Sequence, residues 1–183
     1  IEISEYAKLY RSKILVFKKD TLFNFKDNVQ RLFHILNVCE ISTFHPYILS
    51  LMFKYKNDEV KLNSELRKLE KYIVTRMITK KDTKNYNKIC KEFINKNDLI
   101  DSKLIEIQEA ELQAGLENIT NKNAALLLFW VELFRRDNDT KQSMKELKFV
   151  YSLEHIMPQK WEEFWHQVPI VDHLGVNIVN SDN

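Results

Sequence analysis

A chain of 183 residues, 44% hydrophobic and 30% charged, is long enough to bury one good core, or a core with a small appendage. Only 2 glycines and 3 prolines punctuate it, which argues against a loop-rich or all-β fold and predicts a mainly helical one. A net charge of +2 is too small to imply a polyanionic partner by itself.

Residues 3–17 read as an amphipathic helix, with Tyr6, Leu9, Tyr10 and Ile14 on one stripe. Asp20-Thr21 offers an N-cap for a second helix over 22–38, with Phe25, Val29, Leu32, Phe33 and Leu36 inward. Pro46 suits the first turn of a third, through Tyr47, Leu51 and Met52. Asn63-Ser64 caps a fourth over 65–79, with Leu66, Leu69, Ile73 and Met77 at helical spacing. A fifth covers 83–95 (Tyr86, Ile89, Cys90, Phe93) and a sixth 102–115 (Leu104, Ile105, Ile107, Leu112). The segment 124–134 is apolar nearly all round, which predicts a helix buried in the middle of a bundle. It is too short, and too soon followed by Arg135-Arg136-Asp137, to span a bilayer.

Asp137-Asn138-Asp139-Thr140 breaks the helical pattern, so the expected division is a helical domain over 1–138 and a small module over 139–183. The module reads as a short helix, a strand over Phe149-Val150-Tyr151, a Trp-rich amphipathic stretch (Trp161, Phe164, Trp165) and a second β-prone run over 176–179. Cys39 and Cys90 lack metal-ligand spacing and sit in apolar patterns, and they read as reduced core residues of a cytoplasmic chain. No signal peptide is visible and no apolar run is long enough for a membrane span. The chain starts at Ile1 rather than Met and stops in Asn180-Ser181-Asp182-Asn183; both ends read as cut, which predicts a fragment of a longer protein.

The most distinctive stretch is Ser152-Leu153-Glu154-His155-Ile156-Met157-Pro158-Gln159, where a carboxylate and an imidazole sit side by side between apolar residues. Extended backbone would point Glu154 and His155 to opposite faces. Pro158 cannot continue a ladder, so the chain turns there. Such a stretch can set a metal ligand beside a general base; the plain alternative is an exposed ion pair at a strand end.

Glu154-His155-Ile156-Met157-Pro158-Gln159, with Trp161 following, resembles the His-x-x-Pro signature of HNH (ββα-metal) nucleases, in particular the C-terminal domain of GmrSD-type, modification-dependent restriction enzymes. The HNH domains of RNA-guided CRISPR nucleases carry a similar acid-His-Ile-x-Pro-Gln string. Phe44-His45-Pro46, then Leu69-x-x-Tyr72-Ile73-x-x-Arg76-Met77-Ile78, resembles the helical region preceding that module. The resemblance implies a multi-helix bundle followed by a small, incomplete ββα-metal module, and metal-assisted hydrolysis of DNA phosphodiesters in restriction or antiphage defence. It implies His155 as general base, Glu154 as ligand of Mg or Mn, modified or foreign DNA as substrate, and a ParB-like nucleotide-hydrolysing domain on the N-terminal side. Family members show a His-x-Leu-Gly-Asn-Leu-like run whose Asn supports the catalytic His. Here His173-Leu174-Gly175-Val176-Asn177 brings the Asn one position late, so Asn177 is the nearest candidate and Asn180 the second. The other reading is a helical interaction or coupling module of a multidomain defence protein, with a degenerate and inactive nuclease remnant.

From Lys54 to Lys96, 13 Lys/Arg stand against 6 Asp/Glu, a local balance of about +7. Arg67, Lys68, Lys71, Arg76, Lys80 and Lys81 are therefore candidate contacts to a DNA backbone, the alternative being a solvated face. Trp161, Phe164 and Trp165 at i, i+3, i+4 spacing suit packing better than base stacking. His173 reads as structural, the alternative being a phosphate or metal contact, His166 as a surface residue, and His34 and His45 as packed or partly exposed.

Overall fold

Helix starts are set by side chains that satisfy the free N–H groups of the first turn. The computed structural model describes residues 3–14, 16–96, 107–153 and 174. In chain order the elements are α1 (Ile3–Lys13), β1 (Leu22–Asn24), α2 (Asn28–Val38), α3 (His45–Lys54), α4 (Glu59–Ile78), α5 (Tyr86–Lys96), α6 (Glu109–Glu117), α7 (Asn121–Asn138) and β2 (Glu146–Lys148). The fold is mainly α. Asp27 opens α2 by accepting from Gln30 N at 2.9 Å, and Asp58 opens α4 by accepting from Lys61 N at 2.9 Å. Thr120 caps α7 through Asn123 N at 3.4 Å.

These caps correct two sequence expectations. The second helix does not begin at residue 22. Thr21 Oγ1 accepts from Lys18 N at 3.0 Å instead of capping a helix, and Leu22–Asn24 is extended. Gln30 holds that extension from inside α2: its Oε1 accepts from Asn24 N at 3.0 Å and its Nε2 donates to Leu22 O at 2.9 Å. The fourth helix starts at Glu59, well before Asn63-Ser64, because Asp58 takes the capping role. Of the expected sixth helix, residues 102–106 lie outside the described residues, and α6 runs Glu109–Glu117.

β1 and β2 form an antiparallel pair with Leu22 opposite Lys148, Phe23 opposite Leu147 and Asn24 opposite Glu146. Phe23 and Leu147 point inward and are buried, while Leu22, Glu146 and Lys148 are exposed. Between residue 139 and β2 the backbone forms no helix. Lys145 Nζ ties that segment down by donating to Asp139 O at 2.7 Å and to Arg136 O. The strand comes just before the expected Phe149–Tyr151, and Phe149 instead turns its ring onto His34, centroid to centroid 4.7 Å.

The core among α2, α3 and α4 is built from Leu32, Leu36, Phe44, Ile48, Leu66, Leu69, Tyr72 and Ile73, each 2% exposed or less. α7 closes it with Leu126, Phe129, Trp130 and Leu133. That helix is not buried all round: Leu128, Val131 and Phe134 are 56%, 58% and 51% exposed. It lies along one side of the bundle and buries a single stripe. Gly115 lets α6 approach the end of α4, since a Cβ there would stand 2.6 Å from the carbonyl oxygen of Ile78.

The chain divides into two compact units, Ile1–Tyr151 and Ser152–Asn183. Residues 139–151, including β2, fall within the first. Cys39 and Cys90 are both free thiols. Among the described residues no helix is long and apolar enough to cross a membrane.

Candidate functional site

Glu154, His155 and Asn177 lie outside the described residues, as do Asn180, His173, His166, Trp161, Phe164 and Trp165. What the structure describes is the approach to them: β2, then Phe149 against His34 and Phe129, then 151–153 in irregular backbone. Among the described residues no three His, Cys, Asp or Glu side chains converge on a metal position.

The six candidate DNA-contacting cations separate into two clefts along α4. Arg67, Lys68 and Lys71 line the first, of about 600 Å³, together with Val60, Asn63 and Ser64. Two of these cations are committed. Lys68 Nζ stands 3.2 Å from Glu65, whose side chain is 1% exposed, and Arg67 Nε donates to Asn28 Oδ1 at 3.2 Å. Lys71 is exposed, and its ammonium has no partner among the described residues.

Arg76, Lys80 and Lys81 line the second cleft, of about 360 Å³, with Lys122 from the first turn of α7. Glu40 is the only carboxylate in that lining, and Lys122 Nζ holds it at 2.6 Å. That bond keeps the Glu40 carboxyl below the usual range. Lys81 pairs with Glu111, and Arg76 reaches the carbonyl of Asp82. Arg76 also lies over the rings of Tyr72 and Tyr86, 5.5 Å from each centroid. Burial pushes the Tyr86 hydroxyl up, against the pull of the guanidinium. Cys39, in the same lining, has its thiol pushed up by burial.

The backbone around this second cleft is unusual. Glu40 has φ 59° and Lys80 φ 52°, the left-handed region that side chains other than Gly and Asn enter reluctantly. Both residues follow a helix end of the same design. Ile41 N bonds to Leu36 O at 2.8 Å and Glu40 N to Asn37 O at 3.0 Å after α2. Lys81 N bonds to Arg76 O at 3.0 Å and Lys80 N to Met77 O at 3.4 Å after α4. These are paired Schellman motifs, with charged residues where glycine normally stands.

Inside the unit, Arg31 is 5% exposed and joins α2 to α4. Its Nε lies 2.9 Å from both oxygens of Glu70, while its terminal nitrogens donate to Asn28 Oδ1 at 2.8 Å and to Phe25 O. His34, 3% exposed, accepts from Trp130 Nε1 at 3.1 Å through Nδ1, amid Phe17, Phe23, Phe129 and Phe149. Burial lowers its pKa to about 4, so it is neutral at neutral pH. His45 is partly buried and shifted the same way by the same cause.

Sequence reasoning passed over Lys122, Glu40 and Arg31. Lys122 carried a weak signal of its own: a cation in the first turn of a helix opposes the macrodipole, which an acidic partner offsets. No protein-family model, curated protein or solved structure matches this chain.

Proposed function

We propose that this chain supplies the helical region and an HNH-like module of a metal-dependent DNA endonuclease of restriction or antiphage defence. The observation that carries the reading is the string Glu154-His155-Ile156-Met157-Pro158-Gln159 with Trp161 after it. In this reading His155 takes a proton from the attacking water, a task suited to an imidazole that titrates near neutrality. Asn177 orients His155. Glu154 would hold a divalent ion, Mg or Mn, which takes carboxylate oxygen donors and would supply positive charge at the scissile phosphate. Arg67, Lys68, Lys71, Arg76, Lys80 and Lys81 are the candidate phosphate-backbone contacts, and the exposed Lys71 of the first cleft is the most available to a duplex. A ParB-like nucleotide-hydrolysing domain is the expected partner.

A second reading, a helical coupling module with an inactive nuclease remnant, is favoured by the half-exposed stripe Leu128, Val131 and Phe134 on α7. Plasmid nicking with Mg²⁺ or Mn²⁺, wild type beside His155→Ala, separates the two. The nuclease reading expects nicking that His155→Ala abolishes, by roughly a hundredfold or more for a lost general base. Nicking that survives His155→Ala overturns the assignment of the base. Absence of nicking by the wild type, on modified and unmodified DNA alike, transfers the case to the coupling module.

A further inference from the structure

The second cleft brings together four cations, two left-handed helix ends and a guanidinium that is only partly satisfied. Its lining carries Arg76, Lys80, Lys81 and Lys122 against Glu40 alone, a net excess of three positive charges. Cations after a helix C-terminus normally answer the partial negative charge of the last carbonyls. That account does not cover the whole site. The Schellman N–H groups already take Leu36 O and Asn37 O near the end of α2 and Arg76 O and Met77 O near the end of α4, and Lys122 belongs to a helix start, where a cation is disfavoured. Glu40 answers Lys122, and Glu111 answers Lys81. Lys80 has no side-chain partner among the described residues, and Arg76 Nε is buried without a hydrogen bond. Lys80 is moreover held in a strained conformation by a motif in which glycine would be unstrained. A charged residue kept where the backbone favours glycine suggests a use for its side chain.

We propose that this cleft binds a compact phosphorylated small molecule, its phosphoryl oxygens received by Lys80, with Arg76, Lys81 and Lys122 adding positive charge around them. Arg76, its Nε buried and one terminal nitrogen donating to Asp82 O, supplies a fixed positive charge beneath the cleft, and the exposed Lys80 supplies a point charge that a phosphoryl oxygen can reach. A volume of about 360 Å³ lies in the range of small-ligand sites. A recess between helix ends suits such a ligand better than duplex DNA, whose phosphates lie along an extended stripe. The proposal does not rest on the nuclease reading, and its test involves no DNA cleavage.

The probe is pyrophosphate, titrated at constant ionic strength and followed by calorimetry and by the shift in thermal midpoint. The variants are Lys80→Gly, which removes the cation and relieves the backbone, and Lys71→Gln in the first cleft as control. Wild type is expected to bind saturably and to gain thermal stability with ligand. Lys80→Gly is expected to fold at least as well and to bind roughly tenfold more weakly, the scale of one charge-assisted contact. Lys71→Gln should bind as wild type does. Absence of saturable binding by the wild type overturns the proposal, as does equal weakening by Lys71→Gln, which would mark diffuse attraction. Unchanged binding by Lys80→Gly also overturns it. A duplex oligonucleotide that binds in a Lys80-dependent way, where pyrophosphate does not, moves the site to nucleic acid and overturns the small-molecule form.

Discussion

Around Arg31 and His34, buried polar groups meet their partners: guanidinium with carboxylate, amide and carbonyl, imidazole with indole N–H. At the shared end of α2 and α4 they do not. Tyr72 Oη and Arg76 Nε are the two buried side-chain polar atoms without a hydrogen bond among the described residues, and Glu40 and Lys80, in left-handed backbone, line the same cleft as Arg76. An unmet buried polar group costs about 1–3 kcal/mol, and a left-handed non-glycine residue about 1 kcal/mol more. The same unit is thus well satisfied at one place and left costly at another. Satisfied polar groups hold the fold; costly ones invite a search for use.

The contrast can be tested from its strong side first. Arg31→Met removes one partner of a mostly buried ion pair and leaves Glu70, whose side chain is 20% exposed, without its cation. The expected loss is about 3–5 kcal/mol of unfolding free energy, read by urea denaturation. A loss near zero would mean that the Arg31 network is ornamental and would remove one side of the comparison.

His34 provides a pH axis. Its folded pKa, about 4, lies below the unfolded value of 6.5, so between these limits the unfolded chain binds a proton that the native one refuses. Stability present above pH 6.5 is therefore lost as pH falls toward 4, by about 3 kcal/mol in all. Denaturation midpoints at pH 7 and pH 4.5, wild type beside His34→Gln, should show the variant losing less on acidification. Parallel losses would place the acid sensitivity elsewhere.

The smallest effect is the sharpest comparison, because one substitution is made at two places. Lys71→Gly, inside α4, should cost about 1 kcal/mol through lost helix propensity. Lys80→Gly, at φ 52°, should gain about 1 kcal/mol by releasing the left-handed constraint. Thermal midpoints moving in opposite directions would sustain the contrast between a regular helix face and a strained helix end. Shifts of the same sign would break it.

Most helices could be read from apolar spacing because that signal is local: Leu66, Leu69 and Ile73 share a stripe whatever surrounds them. Helix starts were less legible. Asp20-Thr21 and Asp27 are comparable caps in sequence, and the choice between them depends on Gln30 bonding back to Leu22 and Asn24. β1 had no readable signature, being three residues long with a partner far along the chain. The exposed face of α7 could not be foreseen either, since composition does not say which side of an apolar helix meets neighbours. The basic residues were legible as a charge excess, but their separation into two clefts was not. Lys122 and Glu40 lie outside the counted stretch and reach the cleft through tertiary packing. The carboxylate–imidazole string is the reverse case, since it is legible in sequence alone and lies outside the described residues.

The pairing of β1 with β2 also bears on the order in which the chain folds. Residues 22–24 leave the ribosome long before 146–148, and joining them closes a loop of more than a hundred residues, whose entropic cost must be met before the pairing brings any gain. Contacts among α2, α3, α4 and α5 span shorter separations and are expected to form earlier. Until β2 is synthesised, Phe23 has no strand to pair with, and the side of the core around His34 lacks Leu147 and Phe149. The helical unit is therefore sealed late, by residues only a few positions ahead of Glu154 and His155 in the order of synthesis.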